Sequence, residues 1–209
     1  MNVNMPKNTP AIAFFDFDGT ITFADSFTQF MRYSAQPWRL LYFGPLLLPL
    51  YLGYKAGIIP PSPLRRLVSF VALRGRSHAQ LAALGYRYTH DKINHFVRPQ
   101  MLQRIRWHQA QNHHVVVVSA SLDLYLLPWC QQYGLDLICS EVEHHQGKLS
   151  GFYVKGDCCK QAKSERILNT YSLEHYHRVY AYGDTEEDFA MLALADEAYL
   201  NNQPYSPAS

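Results

Sequence analysis

The chain has 209 residues, 48% hydrophobic and 17% charged, with nineteen Lys and Arg against seventeen Asp and Glu for a net charge of +2. That size and apolar content suit one medium domain, or a domain with a sizeable insertion, and exclude a disordered chain. The near-neutral balance leaves no nucleic-acid footprint, and four cysteines without a CxxC pair fit free thiols better than a disulfide framework.

The polar start lacks the apolar core of a signal peptide, so cytoplasmic residence is the expectation. Residues 11–17 read as a strand that delivers Asp16 and Asp18 to its end, followed at once by Gly19 and Thr20. Side chains two apart on a strand share a face, and glycine permits a sharp turn. Two acids held close repel unless a cation or a shared proton relieves them. Oxygen ligands of this kind suit Mg²⁺. A strand ending in an Asx-Gly turn explains the same letters equally well.

From about residue 26 to 98 the pattern is helical and irregular. Phe27, Phe30, Met31 and Ser34 keep helical spacing until Pro37 resets the chain. Residues 40–54 carry no charge. As one helix they would span about 22 Å, short of a bilayer core of about 30 Å. Pro45, Pro49, Gly44 and Gly53 interrupt the run. It reads as a buried or partly exposed helix pair, with a membrane-contacting surface as the alternative; peripheral membrane contact through these helices is possible but not expected. Residues 58–63, IIPPSP, break the chain before a helix through Leu64, Leu67, Val68 and Val71. Residues 78–96 read as a further helix, weakened by Gly85.

The texture changes after Arg98-Pro99. A helix over 101–111 precedes Val115–Val118, a continuous apolar run of the kind found in buried parallel strands. It ends in Ser119-Ala120-Ser121, and a helix follows. A strand at 135–139, a hairpin over 141–153 turning at Gln146-Gly147, a helix at 160–170, a strand at 179–182 and a helix at 186–194 complete the series. The last nine residues read as a loose tail. Strands alternating with helices predict a parallel sheet with right-handed crossovers.

Ligands in such a sheet sit beyond the carboxyl ends of the strands. Three strand ends carry suitable groups: Asp16 and Asp18; Ser119 with the backbone N–H groups of Ala120 and its successor at a helix start; and Gly183-Asp184-Thr185, with Asp188 one turn on. Lys163 is the best cation for a phosphate beside these acids, with Lys160 and Lys155 as alternatives. Each element alone is weak, and their order gives them weight.

DFDGT, VVVSAS, a helical lysine and GDTEED, in that order, resemble the haloacid dehalogenase superfamily of phosphohydrolases. QGKLSG and DCCKQAK resemble its phosphoserine-phosphatase-like branch, subfamily IB. That branch commonly shows an NCxGxxK-like pattern, from which this chain departs with Asp157 for the Asn and Lys160 for the Gly. The resemblance implies an α/β fold: a three-layer α/β/α Rossmann-like core with a parallel sheet, at residues 1–22 and 97–209. A helical C1-type cap is inserted at residues 23–96. It implies Asp16 as the nucleophile forming an aspartyl-phosphate, and Asp18 as the acid and then the base. Mg²⁺ would sit on Asp16, the Asp18 backbone carbonyl and Asp184, with Thr20 and Asp188 in support. Ser119, Ala120 and Lys163 would hold the phosphate.

Asp25 lies where phosphoserine phosphatases usually place a Glu toward the substrate amine; an N-cap on the helix that follows is the competing role. The expected activity is a Mg²⁺-dependent phosphatase acting on a small soluble phosphomonoester of amino-alcohol type. The alternatives are a lipid phosphate (phosphatidylglycerophosphatase-like), phosphoserine itself, or transfer of the same phosphoryl group to an alcohol. A dinucleotide site lacks GxGxxG after the first strand, and the His pairs lack zinc-site spacing.

Overall fold

The computed structural model of the protein describes residues 10–206. The N-terminal segment read as lacking a signal peptide, up to residue 9, and the last three residues of the tail lie outside the described residues.

The first strand, β1 (Ile12–Phe15), is followed by four helices: α1 (Ser26–Tyr33), α2 (Pro37–Lys55), α3 (Pro61–Leu73) and α4 (His78–Asp91). The chain then runs through α5 (Pro99–Ala110), β2 (His114–Leu122), α6 (Asp123–Tyr133), β3 (Asp136–Ser140) and a hairpin of β4 (Val142–His145) and β5 (Lys148–Tyr153). It ends with α7 (Gln161–Thr170), β6 (Val179–Gly183), α8 (Phe189–Leu192), β7 (Glu197–Leu200) and β8 (Gln203–Tyr205).

Six strands form one sheet in the order β3-β2-β1-β6-β7-β8, parallel except for the β7–β8 pair. The apolar runs are strands because both faces are covered. Ala13, Phe15, Val115 and Val117 pack with Met101, Ile105 and Trp129 of α5 and α6. Ile12, Phe14, Val116 and Val118 pack on the other face with Ile167, Met191 and Leu192 of α7 and α8. These are the three α/β/α layers that the family resemblance implies.

Phe15 pairs with Val117 on one side and Tyr182 on the other, so the ends of β1, β2 and β6 fall in line. That register carries Asp16, Ser119 and Asp184 to a single edge.

The helices between β1 and α5 join the first core layer through Phe27, Phe30, Met31, Leu73, Leu81 and Tyr88. Gly85 does not break α4. A Cβ there would stand 1.9 Å from the Leu124 carbonyl oxygen, so the glycine permits close approach to α6. The β4–β5 hairpin lies against α3, with the Ser69 and Tyr153 hydroxyls 2.6 Å apart.

Two expectations fail. Residues 40–54 belong to one helix, α2, and not to an interrupted pair. Pro45 and Pro49 remove two backbone donors, but both lie on the exposed side, where the freed carbonyls meet water. The tail is not loose at its start. Asn201 and Asn202 adopt φ of 51° and 62°, the left-handed pair of a tight hairpin turn, and fold β8 back on β7. Pro204 suits the open edge of the sheet.

Candidate active site

Beyond the end of β1 the backbone N–H of Asp16 still donates to the Tyr182 carbonyl at 2.9 Å, which fixes Asp16 against β6. The chain then turns at Gly19, whose φ is +91°. A Cβ on Gly19 would lie 1.9 Å from Asp184 Oδ2, so only glycine lets this turn pass the third strand end.

Lys163, 2% exposed, reaches into the site from α7 and donates through Nζ to Asp16 Oδ1 at 2.5 Å and to Asp188 Oδ1 at 2.6 Å. Burial works against its charge, yet the Asp16 and Asp188 carboxylates override that and hold the ammonium above the usual lysine range. Asp188 Oδ2 accepts the N–H groups of Asp184 and Thr185 at 3.0 and 3.2 Å, so its carboxylate is committed on both oxygens. Lys160 instead pairs at the surface with Glu186 at 3.6 Å.

Asp18 points elsewhere. Its Oδ1 accepts the Ser26 N–H at 2.7 Å, and its Oδ2 accepts a short hydrogen bond from the Ser121 hydroxyl. Burial, with the Asp25 charge adding, pushes its carboxyl up to about 6. The Ser26 hydroxyl lies 3.2 Å from Ser121 Oγ and 3.3 Å from the Tyr125 hydroxyl, and its carbonyl accepts from Tyr88 at 3.0 Å. Ser119 is not at a helix start as expected, because β2 runs on to Leu122 before α6 begins; its buried Oγ accepts the Ser121 N–H at 3.0 Å. Asp25 caps α1, accepting from the Thr28 N–H at 2.9 Å and the Thr28 hydroxyl at 2.5 Å.

Asp16, Asp184 and Asp188 each offer an oxygen, and these atoms lie within 4.8 Å of one another. Asp16 Oδ2 and Thr20 Oγ1 are buried without a hydrogen-bond partner. Burial and the Asp188 charge push Asp184 up to about 7. Three carboxylates face one ammonium, and an unmatched buried oxygen is costly unless something approaches it. An oxygen-only set with residual negative charge fits Mg²⁺. The Asp18 carboxylate is not in this group.

These residues form the polar floor of a cavity of about 840 Å³. Its walls are largely apolar and come from the helices preceding α5, with Met31, Leu47, Leu64 and Val68 among them. Arg65 on α3 also lines it, bonded to Asp157 Oδ2 at 3.0 Å and to Glu187 Oε2 at 3.0 Å, and so ties α3 across the cavity mouth. Asp157 is 9% exposed and also accepts from Ser140 Oγ at 3.1 Å.

Sequence reasoning missed Ser26, Ser121 and Arg65. The second serine of the SAS run was a readable signal for Ser121. Arg65 gave none, because its partners lie 92 and 122 residues away.

A family model described as haloacid dehalogenase-like hydrolase matches residues 13–193. Protein CicA of Caulobacter vibrioides is 29% identical over 197 residues, 90% of this chain and 84% of its own. A histidinol-phosphatase of Neisseria meningitidis is 24% identical over 134 residues, 60% of each chain. A crystal structure of a Bordetella pertussis protein of unknown function matches with a TM-score of 0.78 at 20% identity, over 92% of this chain and 90% of that one. A substrate-bound phosphoserine phosphatase matches at 0.61 and 16% identity, over 90% and 84%. At such identities the two structural likenesses are likenesses of fold.

Proposed function

Because this chain belongs to the haloacid dehalogenase-like hydrolase family, we propose that it is a Mg²⁺-dependent phosphatase of phosphomonoesters working through an aspartyl-phosphate on Asp16. One observation carries the reading: Asp16 holds Lys163 on one oxygen and keeps the other, Oδ2, free of any hydrogen bond at the cavity floor.

Asp16 Oδ2 donates a lone pair to phosphorus as the ester P–O bond breaks, and the departing alcohol takes the proton of Asp18. In the second step a water molecule gives its proton to Asp18 and attacks phosphorus, and the Asp16–phosphorus bond breaks. Splitting one displacement into two lowers each barrier, and one carboxyl serves both steps when its proton alternates. Burial supports that use of Asp18, since a group near neutrality can hold or release the proton. Lys163 and the hydroxyl of Ser119, whose oxygen accepts the Ser121 N–H, offset charge on the phosphoryl oxygens. Asp16, Asp184 and the Asp18 carbonyl would hold the Mg²⁺, which supplies further positive charge to the phosphoryl group when bound.

Residues 23–96 act as a cap over a core of residues 1–22 and 97–209, and Arg65 fastens the two. A small soluble amino-alcohol phosphate is the first substrate reading, supported by the similarity to a histidinol-phosphatase. The apolar cavity walls favour a second, a phosphate ester with a lipid-like alcohol. Asp25 caps α1 and also lines the cavity, from where it would meet an amino or hydroxyl group of the substrate.

The test is a panel of phosphoserine, histidinol phosphate and a lysophosphatidic acid, assayed with Mg²⁺ and with EDTA, on the native chain and on Asp16→Asn. Release of phosphate that needs Mg²⁺ and disappears in Asp16→Asn, with an unchanged circular dichroism spectrum, is expected. Turnover at the native rate in Asp16→Asn, or insensitivity to EDTA, overturns the assignment.

A further inference from the structure

Residues 26–90 contain eight Lys and Arg and not one Asp or Glu, whereas the rest of the chain has eleven basic and seventeen acidic residues. The charge of +2 therefore conceals a strongly basic segment on an acidic remainder.

In this basic segment lies α2, with no charged residue from 40 to 54. Its inner side, with Phe43, Leu47 and Tyr54, is half-buried toward α3 and the cavity. Its outer side presents Trp38, Leu41, Tyr42, Leu46 and Leu52 to solvent, Leu41 and Tyr42 each 77% exposed. Cations flank both ends. Arg39 donates to the carbonyls of Val71 at 2.6 Å and Arg74 at 2.8 Å, which draws α3's end and Arg74 to the first turns of α2. Lys55 sits at the other end, 5.7 Å from the Tyr51 ring centre.

A contiguous apolar patch of this extent marks an interaction surface, and the charge selects its occupant. A second copy of this chain would bring one basic segment against the other, and like charges repel. An anionic bilayer matches both features at once: the apolar side chains enter the headgroup boundary, and the cations meet lipid phosphates. Trp and Tyr are suited to that depth. Among the described residues no helix is long and apolar enough to cross a membrane, so α2 would lie along the surface.

We propose that the outer face of α2 docks this protein on an anionic phospholipid surface. Leu48 and Tyr51 are exposed and also line the cavity, so the docked face runs into the wall of the candidate site. Docking is independent of the catalytic assignment and is measured without turnover.

The full chain is floated with vesicles of phosphatidylcholine alone, or of phosphatidylcholine and phosphatidylglycerol in equal parts. Binding to the anionic vesicles is expected to be at least about tenfold tighter, and to fall as salt rises. The triple variant Leu41→Ser, Tyr42→Ser, Leu46→Ser should lose at least about tenfold in binding, with hydrolysis of p-nitrophenyl phosphate at the native rate. Should the triple variant fail to fold, Lys55→Glu with Arg74→Glu provides the second arm, with the same expected loss. Equal binding to both vesicles, no binding to either, or variants that bind as the native chain does would overturn the docking. So would a concentration-dependent dimer that the triple variant abolishes, without vesicle binding, which would assign the face to a second copy.

Discussion

Replacing Lys163 by methionine keeps most of the side-chain volume and removes the ammonium that lies 2.5 Å from Asp16 and 2.6 Å from Asp188. All three side chains are at most 8% exposed, so water cannot take over the missing charge. Removing one partner of a buried ion pair leaves an uncompensated charge and costs about 3–5 kcal/mol. For a domain of this size that is a fall in Tm of about 6–20 °C.

Urea unfolding followed by circular dichroism, in EDTA so that no divalent cation substitutes for the lysine, measures the loss. Adding Asp188→Asn to Lys163→Met removes one of the two stranded carboxylates, and the double variant should recover part of the deficit. The positive coupling between the two sites is the signature of a charge effect. A loss below about 1 kcal/mol, the range of exposed ion pairs, or a double variant less stable than the single, would refute the reasoning.

Two further expectations concern stability away from the acidic cluster. His108 is buried, with Nε2 2.9 Å from the Tyr182 hydroxyl and Nδ1 2.8 Å from His113 Nδ1, and burial, aided by His113 and Arg104, holds its ring down at about 3. The unfolded chain binds that proton from about pH 6.5 downward and the folded chain does not, so this contribution is intact above 6.5 and is lost as pH falls, at about 1.4 kcal/mol per unit. His108→Gln should flatten the acid limb of the stability–pH curve, as seen in urea midpoints between about pH 5 and 7; an unchanged slope refutes it. Lys160 stands at φ 51° and ψ −127°, a conformation that side chains resist and glycine tolerates. Lys160→Gly should therefore stabilise the chain by about 0.5–1 kcal/mol in a thermal melt, and a loss of stability would contradict the strain.

The parts of the site carried by strand ends were legible, because buried parallel strands write themselves as apolar runs and the polar residue that ends each run stands out. Asp16, Ser119 and Asp184 come from three such endings, and the register of β1 with β2 and β6 aligns them. Lys163 was legible only by its place in the order, since nothing local distinguishes it from Lys160 three residues earlier. Asp25 was readable as an N-cap, and it forms one. What holds Asp18 was not legible: Ser26 and Ser121 lie 95 residues apart and meet only in the folded chain. Nor was the continuity of α2, where two prolines argue locally for a break, yet the helix runs through both with their rings on the exposed side. Lys160, where the resembled branch commonly has glycine, adopts φ 51°, in the left-handed region that favours glycine.

The assignment of Asp16 as nucleophile is tested most directly by quenching the enzyme in acid during steady-state turnover of a phosphomonoester and mapping phosphoryl groups by peptide mass spectrometry. A phosphoryl group on Asp16, acid-stable, removed by hydroxylamine and absent from Asp16→Asn, is the predicted result. Steady turnover with Asp16 unmodified, or with the phosphoryl group on another residue, would contradict it.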